Sequence, residues 1–193
     1  MLNSVVPMSR TSQSLQHRTH TAIACSAFNL TRLGPRAGLH RRVLVDQTSV
    51  NLEHGRWTAV AGRRGSGASE LVRCLAGVER IDGGRVFLAG RELSSLNQRE
   101  RRQARELARS EYVGPQRTPV ALADAVARAL ATEPRLLFLD TVGGAVSETV
   151  LGSLRRAADE QGVTVVLATD DLQVALGADR ALVVSEGRVV EDL

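Results

Sequence analysis

The chain has 193 residues, a formal net charge of +4, 43% apolar residues and only 3% aromatic ones. That length suits one domain with a Leu/Val/Ala core. The near-absence of aromatics removes the stacking platform that single-strand and RNA binders use, so no specific nucleic acid partner is expected. There is no lysine, and every basic residue is an arginine spread along the chain. Cys25 and Cys74 make no disulfide framework and read as free thiols of a reducing cytoplasm. No apolar run approaches the length of a membrane span, so the chain is expected to have no transmembrane segment of its own. The expected location is cytoplasmic, peripheral at the inner face of the cell membrane if the chain docks there.

Residues 1–21 are rich in Ser, Thr, Gln and Arg and show no sustained period, which predicts a disordered extension. Residues 22–193 form the expected domain. "TAIACSAFNL" and "VLVDQTSVNL" predict strands, with a Gly/Pro/Arg loop over 34–42 between them. "WTAVAG", residues 57–62, is a short apolar strand that runs into a glycine-rich stretch. Leu71, Val72, Leu75 and Val78 then follow at helical spacing. "GGRVFLAG" is a strand closed by glycines, and residues 97–111 predict a charged helix. Residues 119–134 predict a helix with Pro119 in its first turn. Its apolar residues fall almost all round, the pattern of a buried helix; buried on one side only, it leaves an apolar patch on the other.

"RLLFLD" is apolar without alternation, as buried parallel strands are. Residues 147–160 predict a helix capped by Ser147. "VTVVLATD" is a second buried strand, "DLQVAL" a short helix, and "RALVVSEGRVVEDL" a hairpin turned by Glu186-Gly187. Alternating strands and helices with buried-type strands predict an α/β fold with a mostly parallel sheet.

The glycine-rich stretch is "GRRGSGASE": Gly62, Arg63, Arg64, Gly65, Ser66, Gly67, Ala68, Ser69 and Glu70. It follows G-x-x-x-x-G-K-[ST] in its glycines and its serine, placed between strand and helix as a phosphate loop requires. Ala68 stands where the pattern has lysine. The loop backbone can still turn its N–H groups inward on a phosphate. The ammonium that bridges the outer phosphates is gone, and losing one partner of a desolvated charge pair costs roughly 2–5 kcal/mol.

With "LTRLGPRAG", "VLVDQTSVNLEHGRWTAVAG", "GSGASELVRCLAGVERIDGGRVFLAGRELSSL", "ARALATEPRLLFLD" and "VTVVLATDDLQVALGADRALVVSEGRVVEDL" standing in order, the chain resembles the nucleotide-binding subunit of an ABC transporter. Its nearest likeness is to the type that serves lipoprotein-release and macrolide-export permeases. The resemblance covers about residues 25–193 and implies a P-loop NTPase-like, mostly parallel sheet with flanking helices and an antiparallel N-terminal flank. It implies ATP and Mg²⁺ as ligands, and a membrane permease and a second ATP-binding subunit as partners. Gly62 to Glu70, Gln116 and Asp140 are the nucleotide-site positions it implies, with Ser69, Gln116 and Asp140 toward the metal. Leu33 falls where the family stacks an aromatic on adenine.

The departures from the family are concentrated at the chemistry. Thr141 follows Asp140 where the family has a glutamate base, Ser147 stands where the D-loop ends in Asp, and Asp170 replaces the switch histidine. Glu70 replaces the usual Thr and adds a negative charge beside the phosphates. Arg63 and Arg64, the loop's own cations, sit at positions that usually face outward. Only 24 positions separate Gln116 from Asp140, too few for the helical subdomain and its signature. The expectation is a subunit without catalytic residues, deficient in hydrolysis, with weak or absent nucleotide binding and a structural role on a permease. The alternatives are a non-hydrolytic regulatory nucleotide- or anion-binding module, and a decaying protein without a retained role.

Overall fold

The computed structural model describes residues 22–37 and 40–193; the extension expected over 1–21 lies outside the described residues. The first two strands, β1 (Ile23–Ala37) and β2 (His40–Glu53), pair antiparallel from Ile23↔Glu53 to Ala37↔His40. The predicted loop over 34–42 is therefore corrected: the strands continue through Gly34, Pro35 and Arg41. Proline is tolerated there because the pairing of β1 with its second neighbour, the strand over 83–88, ends at Thr31 and leaves one side of the backbone unpaired around Pro35.

The next elements are β3 (Trp57–Ala61), α1 (Ala68–Leu75), β4 (Gly83–Leu88), β5 (Arg91–Glu92) and α2 (Gln98–Ala108). A capping box starts α2: the Asn97 side chain accepts from the Glu100 N–H, and the Glu100 carboxylate accepts from the Asn97 N–H. Arg109, at φ 50°, ends it in the left-handed region. The helix predicted over 97–111 thus runs three residues too far at its C-terminal end. Residues Ser110–Val113 form β6, which local pattern does not announce. Four residues carry too little periodicity to reveal a strand. Its pairing with β7 (Leu136–Asp140) creates it, in parallel register from Ser110↔Leu136 to Val113↔Leu139.

Between β6 and β7 stands one helix, α3 (Pro119–Leu130), with the Thr118 hydroxyl accepting from Ala121 N and Pro119 in the first turn. It ends four residues before the predicted 134. Leu122, Val126 and Ala129 face inward, whereas Val120, Asp124, Ala127 and Arg128 are exposed. The expectation of a helix buried all round is corrected: alanine content had mimicked an apolar circumference, and two charges break up the outer face.

The chain continues through α4 (Glu148–Asp159), β8 (Thr164–Thr169), α5 (Leu172–Leu176), β9 (Arg180–Ser185) and β10 (Arg188–Asp192). Two sheets result. One is antiparallel, in the order β2-β1-β4-β5; the other runs β10-β9-β3-β8-β7-β6, parallel throughout except for the β10 edge. The strands β7 and β8 are buried at every position because both faces of the sheet are covered. On one face Leu136, Phe138, Val166 and Ala168 pack with Leu71 and Val72 of α1 and with the antiparallel sheet. On the other, Leu137, Leu139, Val165 and Leu167 pack with Leu122 and Val126 of α3 and Val150 and Leu154 of α4. The C-terminal ends of β3, β7 and β8 therefore emerge side by side, in the crevice where open α/β sheets place their ligands.

Candidate nucleotide site

The loop over 62–67 leaves β3 and enters α1, so the free N–H groups of the helix start point where a phosphate would sit. Two other elements brace it from outside. The β9–β10 turn, with Glu186 at φ 49° and Gly187 at φ 79°, is the expected two-residue hairpin. The Gly187 N–H donates to the Ser66 carbonyl at 2.7 Å, and its own carbonyl accepts from Asp46 N at 2.8 Å. From β2, the Arg42 guanidinium donates to the Gly65 carbonyl at 2.9 Å. The Leu44 carbonyl presses against Gly67, which has φ 104° and no room for a Cβ. Any other residue at 67 is strained and collides with backbone.

At the centre, the Ser69 hydroxyl donates to Asp140 Oδ1 at 2.8 Å. Asp140 is 1% exposed, and its Oδ2 lies 3.3 Å from Nη1 of Arg73. Arg73 also reaches Glu70 at 3.1 Å and Glu79 at 3.0 Å. Burial works against its charge, but hydrogen bonding to Glu79 and the charges of Glu70 and Glu79 outweigh burial and hold the guanidinium above its ordinary range. Tyr112 beside this cluster is pushed up to about 12, by burial first and by the Asp140 charge second. One expectation changes here: Glu70 does not offer a bare charge to the phosphates, because its carboxylate is turned onto Arg73.

The oxygen set of Ser69 and Asp140 suits Mg²⁺, which keeps most of its water and takes one or two protein groups together with phosphates. No cluster of three or more acidic, His or Cys residues that would hold a metal by itself occurs among the described residues. The amide of Gln116, the third residue expected near the metal, donates to the Gly114 carbonyl at 3.1 Å within its own loop. Leu33 is paired with Val43 across the antiparallel sheet, and its N–H donates to Asp82 at 2.9 Å. What β2 brings to the loop is Arg42 and the Leu44 carbonyl.

The positions that depart from the family have definite placements. Ala68 is buried, 1% exposed, at the start of α1. Thr141 is buried, and its hydroxyl donates to the Ala168 carbonyl of β8 at 2.8 Å. Asp170, at the end of β8, accepts from the Gly143 N–H at 2.9 Å. Ser147 caps α4 by accepting from Val150 N at 3.4 Å. Arg63 lines a cleft of about 610 Å³ with Gly62, Ser66, Asp170, Leu172 and Val183. Arg64 turns its guanidinium onto Gly143. Two residues that sequence reasoning missed are Arg73 and Arg42. Arg73 stands four positions after Ser69 on one helix, a spacing that places both on one face; Arg42 gave no local signal.

A parallel sheet carrying a glycine loop into a helix, with a serine–aspartate pair at the loop's mouth, defines a nucleotide-binding cassette of the phosphate-loop class. Solved structures agree on the fold. A dimeric ATP-binding cassette in a post-hydrolysis state with ADP and Pi superposes with a TM-score of 0.76 at 17% identity, over 88% of this chain and 97% of that one. A nucleotide-free cassette from an ABC transporter gives a TM-score of 0.66 at 15% identity, over 89% and 91%.

The family model described as ABC transporter matches residues 45–122. The aliphatic sulfonates import ATP-binding protein SsuB of Yersinia pestis bv. Antiqua is 33% identical, over 86% of this chain and 75% of that protein. The methionine import ATP-binding protein MetN of Rhizobium etli is 29% identical, over 77% of this chain and 56% of that protein. The chain belongs to the ABC transporter ATP-binding family. It spans between about half and two thirds of the length of the methionine import proteins it matches. No helix among the described residues is long and apolar enough to cross a membrane.

Proposed function

We propose that this chain is a hydrolysis-deficient ATP-binding subunit that holds nucleotide weakly and contributes structure to a membrane permease. The observation that carries this reading is Thr141: the side chain after Asp140 is a buried hydroxyl donated to the Ala168 carbonyl. A threonine does not serve as a general base at neutral pH, and the loss of such a base typically costs about 10²–10⁴-fold in rate. Asp170 deepens the deficit by setting a carboxylate where the family has the switch histidine. With Ala68, the loop also lacks the ammonium that clamps the outer phosphates.

The nucleotide positions of this reading are Gly62 to Glu70, Gln116 and Asp140. Ser69 and Asp140 would hold Mg²⁺, which would supply positive charge to the outer phosphates. The residues of the chain bind and orient: the loop amides cradle phosphate, and the Arg73 network fixes Asp140. A permease and a second, intact ATP-binding subunit are the partners of this reading, at the inner face of the membrane. The relatives named above serve import of methionine or aliphatic sulfonates, so the lipoprotein-release and macrolide-export type gains no support from them. The test is Mg²⁺-dependent phosphate release by the purified chain beside its Asp140→Asn variant. Equal, background-level rates are expected; release that the substitution abolishes overturns the reading.

A further inference from the structure

We propose that Arg64 replaces the absent lysine of the phosphate loop, its guanidinium, seated on Gly143, receiving the terminal phosphate of a nucleoside triphosphate. This rests on the nucleotide-binding reading above and names the residue that supplies its charge.

Three contacts frame the position. Arg64 belongs to the loop itself, yet its guanidinium lies against the turn that follows β7. A Cβ at Gly143 would stand 2.7 Å from Cζ and 2.8 Å from Nε of Arg64 and would overlap Nη2. Three residues before Gly143, at the end of β7, Asp140 accepts from the Ser69 hydroxyl. The Gly143 N–H is taken by Asp170, so that carboxylate has a donor of its own. Arg64 therefore bridges the loop and the turn that directly follows Asp140, the partner of Ser69.

Its charge is uncommitted: among the described residues no carboxylate pairs with Arg64, whereas Arg73 is committed to Glu70, Glu79 and Asp140. Gly143 is the complementary feature: φ 76° strains any side chain there, and a Cβ would have to displace the Arg64 guanidinium. Arg42 adds a second guanidinium on the loop's rim and, by donating to the Gly65 carbonyl, holds the backbone beside Arg64 in place. Arg63, the neighbouring arginine, lies instead in the cleft with Asp170 and Leu172.

The chemistry suits the assignment. A guanidinium stays charged at any working pH and offers a planar fork of donors that matches a phosphate bidentately. A lysine at 68 approaches phosphate from the helix start; Arg64 approaches from the Gly143 side. An arginine placed there contacts the last phosphate of the chain and discriminates by phosphate number.

The experiment is calorimetric titration of the full chain with ATP, ADP and inorganic tripolyphosphate, each with Mg²⁺ and with chelator. Wild type is compared with Arg64→Ala, Arg64→Lys, Ala68→Lys and Arg102→Ala, an exposed arginine of α2 outside the site. The expected result is ATP binding about tenfold tighter than ADP. Arg64→Ala abolishes that preference with ADP affinity unchanged, Arg64→Lys retains part of it, and Arg102→Ala leaves it intact. Tripolyphosphate following ATP assigns the preference to the phosphate end; failure to follow, with the preference still lost in Arg64→Ala, assigns Arg64 to another part of the nucleotide and overturns the proposal. Unchanged ATP affinity in Arg64→Ala also overturns it. A wild type that binds no ATP while Ala68→Lys does overturns it too, and leaves the nucleotide reading standing. If neither binds, the nucleotide reading falls with it. Matching thermal melts confirm that Arg64→Ala is folded.

Discussion

Ser69 and Asp140, 71 positions apart in sequence, meet through a hydrogen bond of 2.8 Å at the mouth of the loop. Asp140 is buried and has Arg73 as its only ion-pair partner among the described residues. Its charge is thus balanced by Arg73, while the Ser69 hydroxyl and the Val142 N–H donate hydrogen bonds to it. Asp140→Asn keeps the shape but loses the charge facing Arg73, and an imperfectly satisfied buried polar group costs about 1–3 kcal/mol. Urea unfolding is expected to show that loss as a lower midpoint with unchanged slope.

The Arg32–Glu79–Arg73 chain gives a pH dependence. Burial works against the Glu79 carboxylate, but its hydrogen bonds to Arg32 and Arg73 outweigh burial and hold it below its ordinary 4.5. The native state therefore binds this proton less readily than the unfolded chain. The contribution is fully present above pH 4.5 and is lost as pH falls through the lowered folded value. Melting temperature should fall with acid over that window, and Glu79→Gln should flatten the fall; an identical slope in the variant contradicts this account.

Core and surface should differ sharply. Phe138 is fully buried between α1 and the antiparallel sheet, so Phe138→Ala is expected to cost about 3–5 kcal/mol. Leu107 is 68% exposed on α2, and Leu107→Ala should change stability by no more than about 0.5 kcal/mol. Chemical denaturation of the two variants in parallel checks both.

Cys25 and Cys74 are buried, and burial pushes each thiol up to about 12. Since the thiolate is the reactive form, neither should react with an aromatic disulfide reagent in the folded protein. Two thiols per chain should appear on unfolding, and rapid native labelling at either residue would place it outside the core.

The parallel-strand identities of β3, β7 and β8, the loop and its missing lysine, the cap at Ser147, and the Glu186-Gly187 turn were all legible in the sequence. Each is local: apolar runs, spacing and turn chemistry act within a few residues. Three things were decided only by tertiary structure. β6 exists because β7 offers it a parallel register, which four residues cannot announce. Strands β1 and β2 run through a Gly/Pro/Arg stretch because they pair with each other, overriding local propensity. The charges of the site were redistributed by long-range contacts: Glu70 onto Arg73, Gln116 back onto Gly114, Arg42 onto Gly65 and Arg64 onto Gly143. A sequence names the charged groups, but only the folded chain sets which of them lie within a few ångströms, and electrostatic interaction falls off with that distance.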